Sequence, residues 1–232
     1  MRKVAITGGL GYLVIFFTGI FANFFVLEEL KVVGDANATF QNFADNRSLL
    51  IMAISAFIFM VVFDLVLTWV LYVIFKEKNA RLSKITAWFR FINALFFGAA
   101  LYHLTTVLDL TSTNSNPQAI QGVTGALQGF NDIWLIGLVF FGIHLILLSV
   151  LLCKSERVGK LIPLLLMIAG IGYLVDTALQ FGYADYTSIA EISTLVVVLP
   201  GIIGELSLTG WLLFKAGKQK KNKADKMLSV AA

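Results

Sequence analysis

The sequence predicts an all-α membrane protein in which six transmembrane helices pack as a bundle. Three observations carry that expectation. Of 232 residues, 58% are hydrophobic and 14% charged, with a mean hydropathy of +0.84, which lies far from the composition of soluble globular chains. The apolar residues gather into six runs, each long enough to cross a bilayer core, which takes about 20 residues per helix. The runs are continuous where the strands of a membrane barrel would alternate, so helices are the form in which backbone in lipid satisfies its own hydrogen bonds.

The first run, Val4 to Leu27, follows Arg2 and Lys3 and so imitates a signal peptide. Its apolar part is too long for one, and Phe21-Ala22-Asn23-Phe24-Phe25 offers no small-x-small cleavage pattern, so it reads as a retained anchor. The second run is Leu49 to Phe75, the third Ile85 to Leu108 and the fourth Ile133 to Leu152. Leu161 to Tyr183 and Ile192 to Phe214 complete the set, giving a transmembrane domain over 1–215 and a basic tail over 216–232.

Between the first two runs, Leu27 to Ser48 reads as a polar loop with Phe40 and Phe43 placed to rest at the membrane interface. After the third run, Asn116-Pro117 reads as an N-cap and first helical position. Ile120, Val123, Leu127 and Phe130 then share a face, which predicts a short amphipathic helix lying on the outer surface or serving as a lid. Cys153 is the only cysteine, which excludes an intramolecular disulfide and a thiolate metal cluster.

Charge sets the orientation. The amino terminus, the connections Lys76 to Lys84 and Lys154 to Lys160, and the tail from Lys215 hold fifteen of the eighteen basic residues. The positive-inside rule makes those segments, and both termini, cytoplasmic. The net charge of +4 and pI near 9.2 come from these juxtamembrane positions, which suit anionic lipid and give no reason to expect nucleic acid. The expected partners are the bilayer, anionic lipids at the basic tail, and a small solute, ion or proton.

Asp64, His144 and Glu205 stand out because each lies deep in an apolar run, and each is followed ten to twelve residues later by the lysine that ends it: Lys76, Lys154 and Lys215. A rise of 1.5 Å per residue therefore places all three roughly 12 to 18 Å from the cytoplasmic edge, at one depth. Their local sequences also match, as in Asp64-Leu65-Val66-Leu67-Thr68 and Glu205-Leu206-Ser207-Leu208-Thr209. Gly11-Tyr12-Leu13-Val14 recurs as Gly172-Tyr173-Leu174-Val175, although the third run lacks it. These matches point to three parallel helix-hairpin repeats, with chance resemblance among leucine-rich helices as the alternative.

Ionisable groups at mid-membrane depth cost at least about 2.5 kcal/mol each, so they are expected to face inward and to mark a site. Arg90 lies near the cytoplasmic edge of the third run with Asn93 one turn above it, and its long stem can reach Asp64 or Glu205, or snorkel to the headgroups. Asp176, in the fifth run, lies nearer the outside.

The candidate ligand, ion or proton site is therefore Asp64, Arg90, Asn93, His144, Asp176 and Glu205. Proton or ion coupling needs an intramembrane carboxylate that exchanges its proton and an imidazole to relay it, which makes binding or transport of a small solute or ion the leading reading. The alternative is an intramembrane metal-dependent hydrolase, with a divalent metal such as zinc on Asp64, His144 and Glu205. A third reading is a non-catalytic helper subunit whose polar groups only fix helix registry. Haem on His103 and His144 is disfavoured by their different depths, and a retinal Schiff base by the lack of any lysine inside a run.

Gly11-Tyr12-Leu13, Phe89-Arg90, Gly142-Ile143-His144, Gly172-Tyr173-Leu174-Val175-Asp176 and Gly204-Glu205 together resemble the signatures of DUF4386, a bacterial family of six-helix integral membrane proteins catalogued as a domain of unknown function. The resemblance covers nearly the whole chain. It implies six helices and a bacterial inner-membrane location, and it implies no activity.

Overall fold

A computed structural model describes residues 1–112, 115–155 and 158–217, and every element in them is helical. The basic tail from 218 onward, with Arg157 in the fourth connection, lies outside the described residues. Six helices are long and apolar enough to cross a membrane: α1 Arg2–Leu30, α3 Arg47–Phe75, α4 Ala80–Leu110, α5 Pro117–Cys153, α6 Leu161–Gly182 and α7 Ala190–Phe214. The short α2, Ala36–Asp45, sits between the first two. The chain is a multi-pass membrane protein.

Each long helix packs on the next in sequence, and α7 packs back on α1, so the six close into a ring. The closure is latched by Arg2. Its guanidinium donates to the carbonyl oxygens of Leu212 and Ala216 at 2.9 Å each and also to that of Leu213, covering acceptors at the end of α7 that have no partner within the helix. Gly217, at φ 68°, turns the chain out of the helix there, and a Cβ on it would stand 2.8 Å from the backbone nitrogen of Arg2. Arg47, which breaks the charge asymmetry, does the same for α4, donating to Leu108 O at 2.5 Å and Thr111 Oγ1 at 3.2 Å. Both arginines act as C-terminal caps.

The connections are set by capping side chains. Asp35 accepts from the Ala38 amide to start α2, Asn79 from Leu82 to start α4, and Asn116 from Ala119 to start α5, each at 2.9 Å. Pro117 then follows Asn116 at the first helical position. Pro200 stands inside α7, where it removes one hydrogen bond without ending the helix.

Two sequence expectations are corrected. The amphipathic stretch after Pro117 is no separate surface helix or lid, because it runs unbroken to Cys153. Nothing between Phe130 and Ile133 breaks a helix, and Gln128 Nε2 donates to Asp132 Oδ1 at 2.6 Å across that junction. At 37 residues α5 is about 55 Å long, so its first turns stand beyond the apolar core of a bilayer. Phe40 and Phe43 do not rest at an interface either. They belong to α2, which folds over the end of the bundle away from the termini and buries them in a cluster with Val123 and Phe130 of α5.

The core is divided in two. One apolar cluster fills the half away from the termini around Phe43, Phe57, Phe97 and Leu104, and a second fills the basic end around Leu71, Leu148, Leu152 and Trp211. Between them lies a layer of polar side chains. Cys153 is exposed at the basic end, which makes it a built-in topology probe. We expect an impermeant thiol reagent on intact cells to spare Cys153 and to label Ser188→Cys, which lies at the opposite end; the reverse pattern would invert the orientation.

Candidate functional site

Arg90 is the centre of the layer and is 1% exposed. One terminal nitrogen forms a salt bridge to Asp64 Oδ1 at 2.5 Å. The other lies 3.2 Å from His144 Nε2 and 3.4 Å from the Tyr12 hydroxyl. The sequence left Asp64, Glu205 and the headgroups open as destinations for this side chain, and it goes to Asp64.

His144 Nδ1 stands 2.9 Å from the carbonyl oxygen of Thr86, one turn before Arg90 on α4. A carbonyl only accepts, so Nδ1 carries a hydrogen, and Nε2 turns its lone pair to the guanidinium. The imidazole is thereby fixed in orientation by two groups of the same helix. Phe141 stacks on it at 6.0 Å, and the guanidinium carbon lies 5.1 Å from the Tyr12 ring centre and 5.6 Å from that of Phe141. Tyr173 closes the box edge-on to Phe141 at 5.4 Å. Aromatic faces thus cover a cation that lipid or apolar packing alone would leave unsolvated.

Other polar atoms in the layer are left over. Asn93 is wholly buried, and neither atom of its amide has a partner, nor does Arg90 Nε. Glu205 Oε1 is also buried without a partner, although its side chain as a whole is partly exposed. Such groups cost free energy unless water, a proton or a ligand meets them. Thr68 and Thr209 each donate back to the carbonyl four residues earlier, Asp64 O at 2.9 Å and Glu205 O at 2.7 Å, so the two matching sequence segments have matching local structure.

Asp176 stands apart in the C-terminal half of α6. It accepts from Gln180 Nε2 at 2.8 Å, from the Tyr186 hydroxyl at 2.7 Å and from the Ser193 hydroxyl. These bonds tie the short turn Tyr186–Ser188 and the start of α7 to α6. Burial, reinforced by the Asp176 hydrogen bond and charge, raises the Tyr186 phenol above its ordinary value.

No group of three His, Cys, Asp or Glu side chains among the described residues is placed to hold a metal ion. The guanidinium occupies the space between Asp64 and His144, where a metal would have to sit, and its charge would repel one. His103 packs its ring over Gly129, about 20 Å along α5 from His144, so the two imidazoles do not meet. Tyr12, Thr86, Phe141 and Tyr173 belong to the site and were not assigned from sequence. The repeated Gly-Tyr-Leu-Val segment was the available signal for the two tyrosines.

The family described as "Domain of unknown function (DUF4386)" matches residues 7–216, which include every side chain of the layer. A protein of Archaeoglobus fulgidus described as uncharacterized is 30% identical over 169 residues, 72% of this chain and 86% of that protein. No solved structure matches.

Proposed function

Because the chain belongs to the DUF4386 family, whose description assigns no activity, we propose a function from the polar layer itself: binding and transport of a small solute or ion, coupled to a proton at Glu205. The observation that carries this reading is the buried, unpartnered Glu205 Oε1, within electrostatic reach of a guanidinium already engaged by Asp64 and His144. Asp64 neutralises Arg90, which makes Glu205 a surplus carboxylate. In an apolar layer it is held by a proton or a cation, and exchange of one for the other is the elementary step of a coupled carrier.

The roles divide accordingly. Arg90, Asp64, His144 and Thr86 tie α3, α4 and α5 into a fixed wall. Glu205 rides on α7, whose backbone is loosened by Pro200 a little over one turn away. Tyr173 and Asn93 offer further polar contacts to a solute in the layer. The same fixed wall supports the helper-subunit reading, in which the network only sets registry. The hydrolase reading has no comparable support.

An apolar carbodiimide tests the proposal, since it reaches lipid-embedded carboxyls and reacts with their protonated form. We expect peptide mass spectrometry of the treated protein to find the adduct on Glu205 and not on Asp64, with labelling that falls as pH rises. Glu205→Gln abolishes the adduct and leaves the melting temperature within a few degrees of wild type. Solutes that protect Glu205 from the reagent are then candidate substrates. An unreactive Glu205, or a Glu205→Gln protein that no longer folds, would transfer the weight to the helper-subunit reading.

A further inference from the structure

A groove on the membrane-facing side of the α3–α4 pair lies outside the polar layer and belongs to neither reading of it. Leu65, Thr68, Trp69 and Tyr72 form one wall, and Lys84, Ala87, Trp88 and Phe91 form the other. Residues three and four apart on a helix share a face, so each wall is one continuous stripe. The groove holds about 450 Å³, within the range of sites that bind small molecules, about 300 to 1,000 Å³. Trp69 and Trp88 are 56% and 54% exposed across it, and Phe91 meets Trp88 edge-on at 5.6 Å.

Its two ends differ in chemistry. Lys84 is exposed at the mouth, in the first turns of α4, with Arg81 also exposed one turn closer to the basic end. From Lys84 to Phe91 the wall rises about 10 Å into the apolar region, less than the depth of one leaflet. The floor is apolar in effect, because Thr68 turns its hydroxyl to the Asp64 carbonyl. A charged mouth over a rigid aromatic slot matches an amphiphile with an anionic head and a hydrocarbon chain.

We propose that this groove binds a phospholipid with an anionic headgroup, its phosphate on Lys84 and an acyl chain held between Trp69 and Trp88. A single lysine near the membrane surface is worth about a fivefold preference for anionic over zwitterionic lipid. The chain lies against Leu65 and Phe91, the sequence neighbours of Asp64 and Arg90, so occupancy braces the pair of helices that carries the ion pair.

The test uses the full chain in vesicles of phosphatidylcholine with small fractions of phosphatidylglycerol, either lipid carrying brominated acyl chains that quench tryptophan. Brominated phosphatidylglycerol is expected to quench at about one fifth of the mole fraction that brominated phosphatidylcholine needs. Lys84→Gln brings the two lipids to parity with the basic tail still present, and Trp69→Phe with Trp88→Phe removes the sensitive emission. Equal quenching by both lipids in the wild type overturns the proposal. So does a preference that survives Lys84→Gln, since it would then reside in Arg81 or the tail and not in the groove's lysine. Displacement of the brominated lipid by inorganic phosphate alone would mark a free-phosphate site and overturn it as well.

Discussion

Replacing Arg90 by methionine should cost about 3 to 5 kcal/mol of stability, the usual penalty for stripping one member from a buried ion pair. Methionine fills much of the same volume, so the loss is electrostatic: Asp64, 2% exposed, keeps its charge and loses its counter-charge. His144 Nε2 and the Tyr12 hydroxyl lose their partner in the same change. Thermal unfolding in detergent, followed by fluorescence-detected size exclusion, reads the effect. The deficit should shrink on acidification, because a proton on Asp64 then stands in for the missing guanidinium. Adding Asp64→Asn should recover most of the loss, while adding Glu205→Gln should recover little, which identifies the partner by the non-additivity of neighbouring sites. A single mutant that melts like wild type at every pH would refute the buried pair.

Gly170→Ala is expected to destabilise as well, by a smaller amount and for a steric reason. A Cβ at Gly170 would stand 2.7 Å from the Gly142 carbonyl oxygen and 3.1 Å from the Ile146 amide nitrogen. Both are backbone atoms that no rotamer change can move aside, so α5 and α6 must separate along their shared face. Overpacking of this kind costs about 1 to 3 kcal/mol. The reciprocal change, Gly142→Ala, meets Gly170 O at 2.8 Å and should behave alike. Gly210→Ala is the control, since nothing lies within 4 Å of its would-be Cβ. Helix propensity alone makes that substitution neutral or stabilising by up to about 1 kcal/mol. Equal melting of all three variants would mean that the close approach is not holding the helices. The separation also matters for the site, because Gly142 lies between Phe141 and His144 on the wall that faces Tyr173.

The six spans were legible because bilayer thickness imposes a length that local sequence must meet, and the same constraint placed Asp64 and His144 at the depth where Arg90 joins them. Arg90 itself was legible only to a choice of partners. Reach along one helix is fixed by its rise, whereas the choice between α3 and α7 depends on how the ring closes. Tyr12 and Thr86 were harder still. A tyrosine in an apolar run is ordinary, and a backbone carbonyl that receives an imidazole has no side-chain signature. The continuity of α5 was misread because an amphipathic face over Ile120 to Phe130 gives way to a uniformly apolar run from Ile133, a change of composition that leaves the helix unbroken, with Gln128 bonded to Asp132 across it. Phe40 and Phe43 were read as interfacial since nothing local to α2 announces that the extended end of α5 will cover them.

The latch between Arg2 and the end of α7 has a consequence for the order in which the protein can be built. Asp64, Arg90 and His144 belong to α3, α4 and α5, so their network can form once synthesis has passed Cys153. The carbonyls that receive Arg2 arrive with the last turn of α7, about 3 to 12 s later at ordinary translation speeds. Through that interval the nascent chain already holds its costly ion pair, while one flank of α1 faces lipid or the insertion machinery. Glu205 enters last, into a wall that is already set. A ribosome that stalls before Ala190 therefore leaves a bundle that retains its charge pair but remains an open arc, recognisable to membrane quality control by the bare side of its first helix.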